Sequence, residues 1–124
     1  MQPHEMHEVF AQFALLVARA GAAYGLSCCG EIVAVSAQGV NCLPLWSSEA
    51  VAREMQRRYW PTLRVERIPL DDIFDVCVPS AYAAGAPIGI GVSVHAQCVA
   101  VPPEAVLAGL TLALEMKRKP EAEG

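Results

Sequence analysis

Three short apolar runs follow one another in the first half of the chain, at residues 23–28, 31–36 and 40–46. A short break that contains glycine separates each run from the next. Runs of this length, rich in β-branched residues and bounded by glycine, predict strands of a β-meander. Because the breaks are far too short for crossover helices, consecutive strands are expected to pair antiparallel. The feature therefore favours an α+β domain over a doubly wound parallel fold.

Helical spacing flanks this meander on both sides. Residues 5–20 repeat apolar side chains every three or four positions, and Gly21 follows as a natural stop. Residues 48–59 return to the same spacing, and Pro61 ends that helix because it disfavours α geometry at the preceding Trp60. The remaining predicted elements are a strand at 63–68, a short helix at 71–78 broken at Pro79, a strand at 88–94, its hairpin partner at 97–101 and a helix at 103–118.

The whole chain of 124 residues has the size of one domain, and at 54% hydrophobic residues it can fill a core. We therefore expect a single α+β domain over 1–124. A mixed or largely antiparallel sheet of about five to six strands would pack against about three to four helices. The tail at 119–124 is expected to fray.

Composition argues against several classes of protein. No apolar stretch approaches the roughly 20 residues that span a bilayer, and the first ten residues lack the basic region of a secretory signal. A net charge of −4 gives nucleic acid and anionic membranes no general attraction. Five cysteines without the spacing of a disulfide framework indicate reduced thiols. We therefore expect a cytoplasmic protein with neither a membrane nor a nucleic-acid partner.

His95 is the histidine on which metal or nucleophilic chemistry would depend. It lies three residues before Cys98, and His4 and His7 near the N-terminus are also three apart. A zinc site needs three or four converging ligands, and a Cys–His pair needs both side chains on one face. Residues three apart on a strand point to opposite faces. The pattern therefore predicts no metal site and no catalytic residue.

Glycines at 85, 89 and 91 raise the question of a phosphate-binding loop. They lie within an apparent strand rather than at a strand-to-helix turn, which favours close backbone packing. Asp71 and Asp75 open a short helix and complement its dipole rather than form an acid pair. No cofactor is predicted. One alternative stays open, a small-molecule pocket or modest enzyme on the glycine-lined face, with His95, Cys98 and Asp71 as its residues.

Basic residues concentrate around the second predicted helix, where five of the nine lie between positions 53 and 67. Glu49–Arg53 and Glu54–Arg58 form i,i+4 pairs in the favourable order, so much of the helix face neutralises itself. The remaining charge and the nearby aromatic residues indicate protein binding rather than nucleic-acid binding. The predicted docking residues are Trp46, Arg53, Arg57, Arg58, Trp60 and Arg64. A core position for Trp46 is the competing interpretation, and the sequence favours it.

Four stretches carry a family resemblance: LLVARAGAAYGL, LPLWSSEAVAREM, IPLDDIFDVCVP and VPPEAVLAGL. Together they resemble the bacterial domain-of-unknown-function family 2750 over about residues 8–116, and LPLWS is the most specific part. The same junction and its helix are similar to the N-terminal domain of SseB-like proteins. Tyr24 and Cys77 stand where we expect tryptophan in the family. The resemblance implies a compact cytoplasmic bacterial α+β domain and supplies no activity or catalytic residues.

These observations favour a non-enzymatic module for protein interaction or self-association. The strand at 40–46, the helix at 48–59 and the strand at 63–68 would form its docking surface. The partner would be another protein or a second copy of the chain. A homodimer would use the helix at 103–115, which carries apolar residues on nearly all sides.

Overall fold

The computed structural model describes the backbone of residues 3–37, 39–91 and 99–123 and the side chains of 7–36, 39–91 and 99–117. Its strands are β1 (Ala22–Cys28), β2 (Glu31–Ile32), β3 (Val35–Ala37), β4 (Val40–Leu45), β5 (Arg64–Pro69), β6 (Ile88–Ile90) and β7 (Val99–Val101). Its helices are α1 (Pro3–Ala20), α2 (Glu49–Tyr59), α3 (Leu70–Asp72), a π-helical turn (Ile73–Cys77), α4 (Val78–Ala84) and α5 (Pro103–Glu123). The predicted α+β class is confirmed.

The described strands divide into two sheets, with the orders β2-β1-β5 and β3-β4-β6-β7. Tyr24 of β1 and Trp46 join the sheets, because each backbone N–H donates to the other residue's carbonyl at 2.8 Å. β4 and β6 pair parallel, from Leu43 opposite Ile88 to Leu45 opposite Ile90. The other described pairings are antiparallel. The four-stranded sheet is therefore mixed, and the three-stranded sheet is antiparallel. The predicted pairing of β6 with β7 is confirmed.

Alternate side chains of β4 contribute to two core clusters, one on each face of the strand. Leu43 and Leu45 of β4 lie in the larger cluster, with α1, the π-helical turn, α4 and α5. Cys42 and Trp46 lie in the smaller cluster, which α2 covers. Successive strand residues point to opposite faces, and both faces of β4 are buried. The continuous apolar character of 40–46 therefore reflects a central strand.

The break predicted at Pro79 is wrong, because helical structure continues from Leu70 to Ala84. The N–H of Val78 donates to the carbonyl of Ile73, five residues earlier, so the chain is wider there than an α-helix. Pro79 falls in the first turn of α4, where the missing N–H costs least. The helix ends at Gly85, whose φ of +65° suits glycine.

α5 starts at Pro103 as predicted, and its helical backbone extends to Glu123, beyond the predicted end at 118. The predicted fraying of 119–124 stays a prediction. α5 packs against α1. A Cβ on Gly109 would lie only 2.5 Å from the ring of Phe10, so the two helices approach closely at this glycine. None of the described helices combines the length and apolar content that a bilayer-crossing helix needs.

Candidate functional site

The junction between β4 and α2 fixes the position of the basic residues. Ser48 caps α2, because its hydroxyl accepts a hydrogen bond from the Val51 N–H at 3.4 Å. The helix ends at Trp60, whose N–H donates to the Gln56 carbonyl at 2.9 Å. Pro61 follows, as the sequence predicted. The serines of the junction therefore begin a helix, and one of them is its cap.

Ion pairs neutralise part of the exposed face of α2. A guanidinium nitrogen of Arg53 lies 2.7 Å from the Glu49 carboxylate, and one of Arg58 lies 3.4 Å from Glu54. Both predicted i,i+4 pairs are thereby confirmed. The paired side chains are about half-exposed, so each pair stabilises the fold by well under about 1 kcal/mol. Their main effect is to cancel charge on that part of the surface.

In α2 and β5, three exposed arginines have no ion-pair partner among the described side chains. Arg57 lies in the last turn of α2, which packs against β5, and Arg64 and Arg67 lie on β5 itself. Residues three apart on a strand point to opposite faces, so Arg64 and Arg67 flank the sheet on both sides. Glu66 lies between them and accepts a hydrogen bond from the Ser27 hydroxyl at 3.4 Å.

β5 is the outer strand of its sheet. Within the described residues it pairs with β1 along one edge and with no strand along the other. Four of its six residues are exposed, and Ile68 is its buried residue. We define the β5 edge surface as the unpaired edge of β5 with Arg57, Arg64 and Arg67. An unpaired edge offers backbone N–H and carbonyl groups to another strand.

Trp46 is 1% exposed and belongs to the smaller core cluster, so its predicted place among the docking residues needs correction. A central strand that is covered on both faces leaves its indole no access to a partner protein. Trp60 is half-buried with its ring centroid 6.5 Å from that of Trp46, and Tyr59 is exposed at 5.7 Å from Trp60. The three rings thus lead from the core to the surface beside Arg57.

An open groove of about 560 Å³ lies where the parallel strands β4 and β6 end and α2 begins. We call it the α1–α2 groove. Ligand sites in sheets with parallel strands favour this position. Exposed apolar side chains from both helices line it, as do Trp46 and Gly91. Its polar lining residues are Glu8, Gln12, Ser47 and Ser48.

The residues of the alternative pocket are not brought together by the described part of the chain. His95 and Cys98 lie outside the described residues. Asp71 is exposed on α3 and is not among the residues that line the α1–α2 groove. Gly89 is buried within β6, and Gly91 follows the strand with a φ of +60°. Gly85 and Gly91 therefore occupy left-handed backbone positions that favour glycine, and Gly89 lies within a buried strand.

A second cleft of about 540 Å³ lies between the β1–β2 hairpin, β5 and the π-helical turn. It is lined by the acidic residues Glu31, Glu66 and Asp72, by Arg67 and by the buried Cys77. Burial, and secondarily the charge of Asp72, raise the pKa of the Cys77 thiol to about 11. A thiol that holds its proton is a poor nucleophile at neutral pH. No three metal-ligating side chains converge in the described parts of the structure.

The match to a protein-family model decides the family. The model of a protein of unknown function, DUF2750, matches residues 10–110. The chain belongs to the DUF2750 family. No curated protein and no solved structure matches the chain. The predicted family is therefore confirmed, whereas the bacterial origin, the SseB-like similarity and the cytoplasmic location stay predictions.

One feature of this DUF2750 domain was not predicted from the sequence. It is the unpaired edge of β5 among the described strands, although charged residues and Pro69 on a six-residue strand are typical of edge strands. This edge depends on which strand pairs with which, and local spacing does not determine such pairing. The antiparallel pairing predicted across the break at 29–30 is confirmed, and it places Cys28 and Cys29 at the tip of the β1–β2 hairpin.

Proposed function

We propose that this DUF2750 domain is a non-enzymatic interaction module that binds an extended acidic segment of a partner protein along the β5 edge surface. One observation carries the proposal: Arg64 and Arg67 are exposed, have no ion-pair partner among the described side chains, and lie on a strand whose outer edge pairs with no other described strand. Arg57 of the neighbouring α2 adds a third such charge. The net charge of the whole chain is −4, so this positive surface runs against the overall charge. Local complementarity steers an acidic partner to it.

Strand addition accounts for the arrangement of these arginines. An added strand forms backbone hydrogen bonds along the edge, and its side chains alternate between the two faces of the sheet. Acidic residues on one face of the added strand would meet Arg64, and those on the other face would meet Arg67. Arg57 extends the positive surface on α2. Charged residues on an exposed strand edge also prevent aggregation. Protection against aggregation is therefore the competing explanation for these arginines.

We expect a fluorescein-labelled ten-residue peptide of glutamate, valine and threonine to bind the full chain, as measured by fluorescence anisotropy. The double variant Arg64→Gln/Arg67→Gln should weaken binding about tenfold, because two surface charge pairs contribute roughly 0.5–1 kcal/mol each. The double variant Arg53→Gln/Arg58→Gln removes the same charge from groups that are already paired. It should change the Kd less than about twofold.

Two controls separate strand addition from general charge attraction. A peptide N-methylated at every residue keeps its charge but has no backbone donor on either edge, and it should bind much more weakly. A lysine peptide of the same length should not bind. Equal effects of the two double variants, or an unchanged Kd for the N-methylated peptide, would refute the proposal.

The α1–α2 groove favours a second candidate function, the binding of a small amphipathic carboxylate. Its volume of about 560 Å³ lies within the roughly 300–1,000 Å³ of small-molecule sites. Val9, Leu16 and Val51 offer an apolar lining, and the groove meets the N-terminus of α2, where anions are favoured. Glu8 on the rim opposes this attraction, so an apolar tail must supply most of the affinity.

Decanoate should raise the Tm by a few degrees at concentrations well above its Kd, because a ligand stabilises the folded state by RT ln(1 + [L]/Kd). Leu16→Gln should abolish the rise. Leu107 has similar exposure and does not line the groove, so Leu107→Gln is the matched control. Equal shifts for decanoate and decanol would argue against a carboxylate site, and no shift with either would remove the candidate.

Self-association remains a prediction. Leu112 and Met116 of α5 are four residues apart on one face of the helix and are 57% and 50% exposed, which leaves a small apolar patch for a second copy. Light scattering under the conditions of the peptide titration would establish the oligomeric state.

A further inference from the structure

Two cysteines occupy the tip of the β1–β2 hairpin. Cys28 pairs with Glu31 at the end of the ladder, so Cys29 and Gly30 form the two-residue turn. Both turn residues have positive φ, +56° for Cys29 and +83° for Gly30, as a type I′ turn requires. Asparagine or aspartate usually precedes glycine in such a turn. Cysteine is therefore not the residue that turn geometry alone would favour.

The two sulfur atoms are close and accessible. Both side chains are exposed, and the Sγ atoms are 3.8 Å apart. By contrast, Cys42 and Cys77 are fully buried. A hydrogen bond with Cys29, together with the unfavourable charge of a second thiolate, raises the pKa of Cys28. A soft metal or metalloid atom bound to both sulfurs would replace the proton of the hydrogen bond between them and remove the repulsion between two thiolates.

The same geometry disfavours a direct bridge between the two sulfurs. Adjacent Cα atoms are about 3.8 Å apart across a trans peptide, below the roughly 4.4–6.8 Å usual for disulfides. A centre between the sulfurs enlarges the ring and relieves this constraint. A pyramidal, three-coordinate centre holds two sulfurs somewhat closer together than the observed 3.8 Å, which is a small adjustment for two exposed side chains.

We propose that Cys28 and Cys29 form an exposed dithiol site for a trivalent arsenical. Among the described side chains, no third histidine, cysteine or carboxylate completes a metal-binding group with them. A monosubstituted trivalent arsenical needs only two sulfurs from the protein, because its own carbon substituent fills the third position. A zinc ion would need two further ligands.

The reaction with phenylarsine oxide balances without an oxidant. Each thiol sulfur forms one bond to arsenic, and the arsenic–oxygen double bond is lost. The two thiol protons leave with that oxygen as one molecule of water. The phenyl group stays on arsenic, whose oxidation state does not change. The proposal is independent of the β5 edge surface and of the α1–α2 groove.

One equivalent of phenylarsine oxide should give a single adduct by native mass spectrometry. A dithiol such as dimercaptopropanol should remove it, and an equal concentration of 2-mercaptoethanol should not. Cys29→Asn keeps a residue suited to the left-handed turn, and Cys28→Ser removes the other sulfur. Each variant should bind at least about a hundredfold more weakly, because the second As–S bond is then no longer intramolecular.

Cys98→Ser is the control, since it removes one thiol and keeps both sulfurs of the proposed site. It should bind phenylarsine oxide as the unchanged chain does. Circular dichroism should show that Cys29→Asn remains folded, and Cys28→Ser provides an independent check if it does not. Retention of the adduct in both hairpin variants, its loss in Cys98→Ser, or ready displacement by 2-mercaptoethanol would overturn the proposal.

Discussion

Trp46→Ala should lower the free energy of unfolding by about 3–5 kcal/mol, the usual cost of truncating a large buried aromatic residue. Trp46 is 1% exposed and packs in the smaller core cluster under α2. Its backbone also joins the two sheets through the hydrogen bonds with Tyr24. Small domains have only about 5–15 kcal/mol of stability, so this substitution should bring the protein close to unfolding. Urea denaturation followed by circular dichroism measures the effect.

Trp60→Ala provides the comparison. Trp60 has the same side chain and contacts the same cluster, but it is only half-buried at the end of α2. Its loss should cost markedly less than the loss of Trp46, because less apolar surface returns to water. Trp46→Phe should retain most of the stability and leave peptide binding at the β5 edge surface unchanged. A small stability loss in Trp46→Ala, similar to that of Trp60→Ala, would contradict the core assignment.

Local features of the fold were predictable from the sequence. The cap at Ser48, the end of α2 before Pro61 and the two Glu–Arg pairs depend on residues within one or two turns. The hairpin of β6 and β7 follows from neighbouring apolar strands. In each case, the residues that determine the structure lie close together in the chain, so spacing and capping preferences are sufficient.

Non-local features were not predictable in the same way. The parallel pairing of β4 with β6 joins residues more than forty positions apart, and it makes β4 a central strand that is buried on both faces. The helix through Pro79 depends on the π-helical turn, which packs its buried Ile73 and Cys77 in the larger core cluster. Tertiary packing here overrides the local preference of proline.

The candidate site shows the same difference between local features, which were predictable, and non-local features, which were not. The sequence located the basic residues and predicted which arginines are neutralised. It did not reveal that Arg64 and Arg67 lie on an unpaired strand edge, because that depends on β1 pairing with β5. The burial of Cys77 also depends on non-local packing, because the π-helical turn places this residue in the larger core cluster.

The burial of Cys77 makes stability depend on pH in the alkaline range. Its pKa is raised from 9.0 to about 11, chiefly by burial and then by Asp72. Below pH 9 the thiol is protonated in both the folded and unfolded states, so its contribution to stability is fully present. Between pH 9 and about 11 the unfolded chain loses the proton while the folded chain keeps it. Stability must therefore fall as the pH rises through this window.

Comparison with Cys77→Val isolates this contribution, because valine is similar in size, apolar and does not titrate. Between pH 8 and pH 11, the unchanged chain should lose about 2–3 kcal/mol of unfolding free energy relative to the variant. Tyrosine, lysine and the other cysteines titrate in both proteins and cancel in the difference. Urea denaturation at each pH supplies the two curves. Parallel curves up to pH 11 would mean that the Cys77 thiolate forms without penalty, and the cleft beside the π-helical turn would then have to be reconsidered as a nucleophilic site.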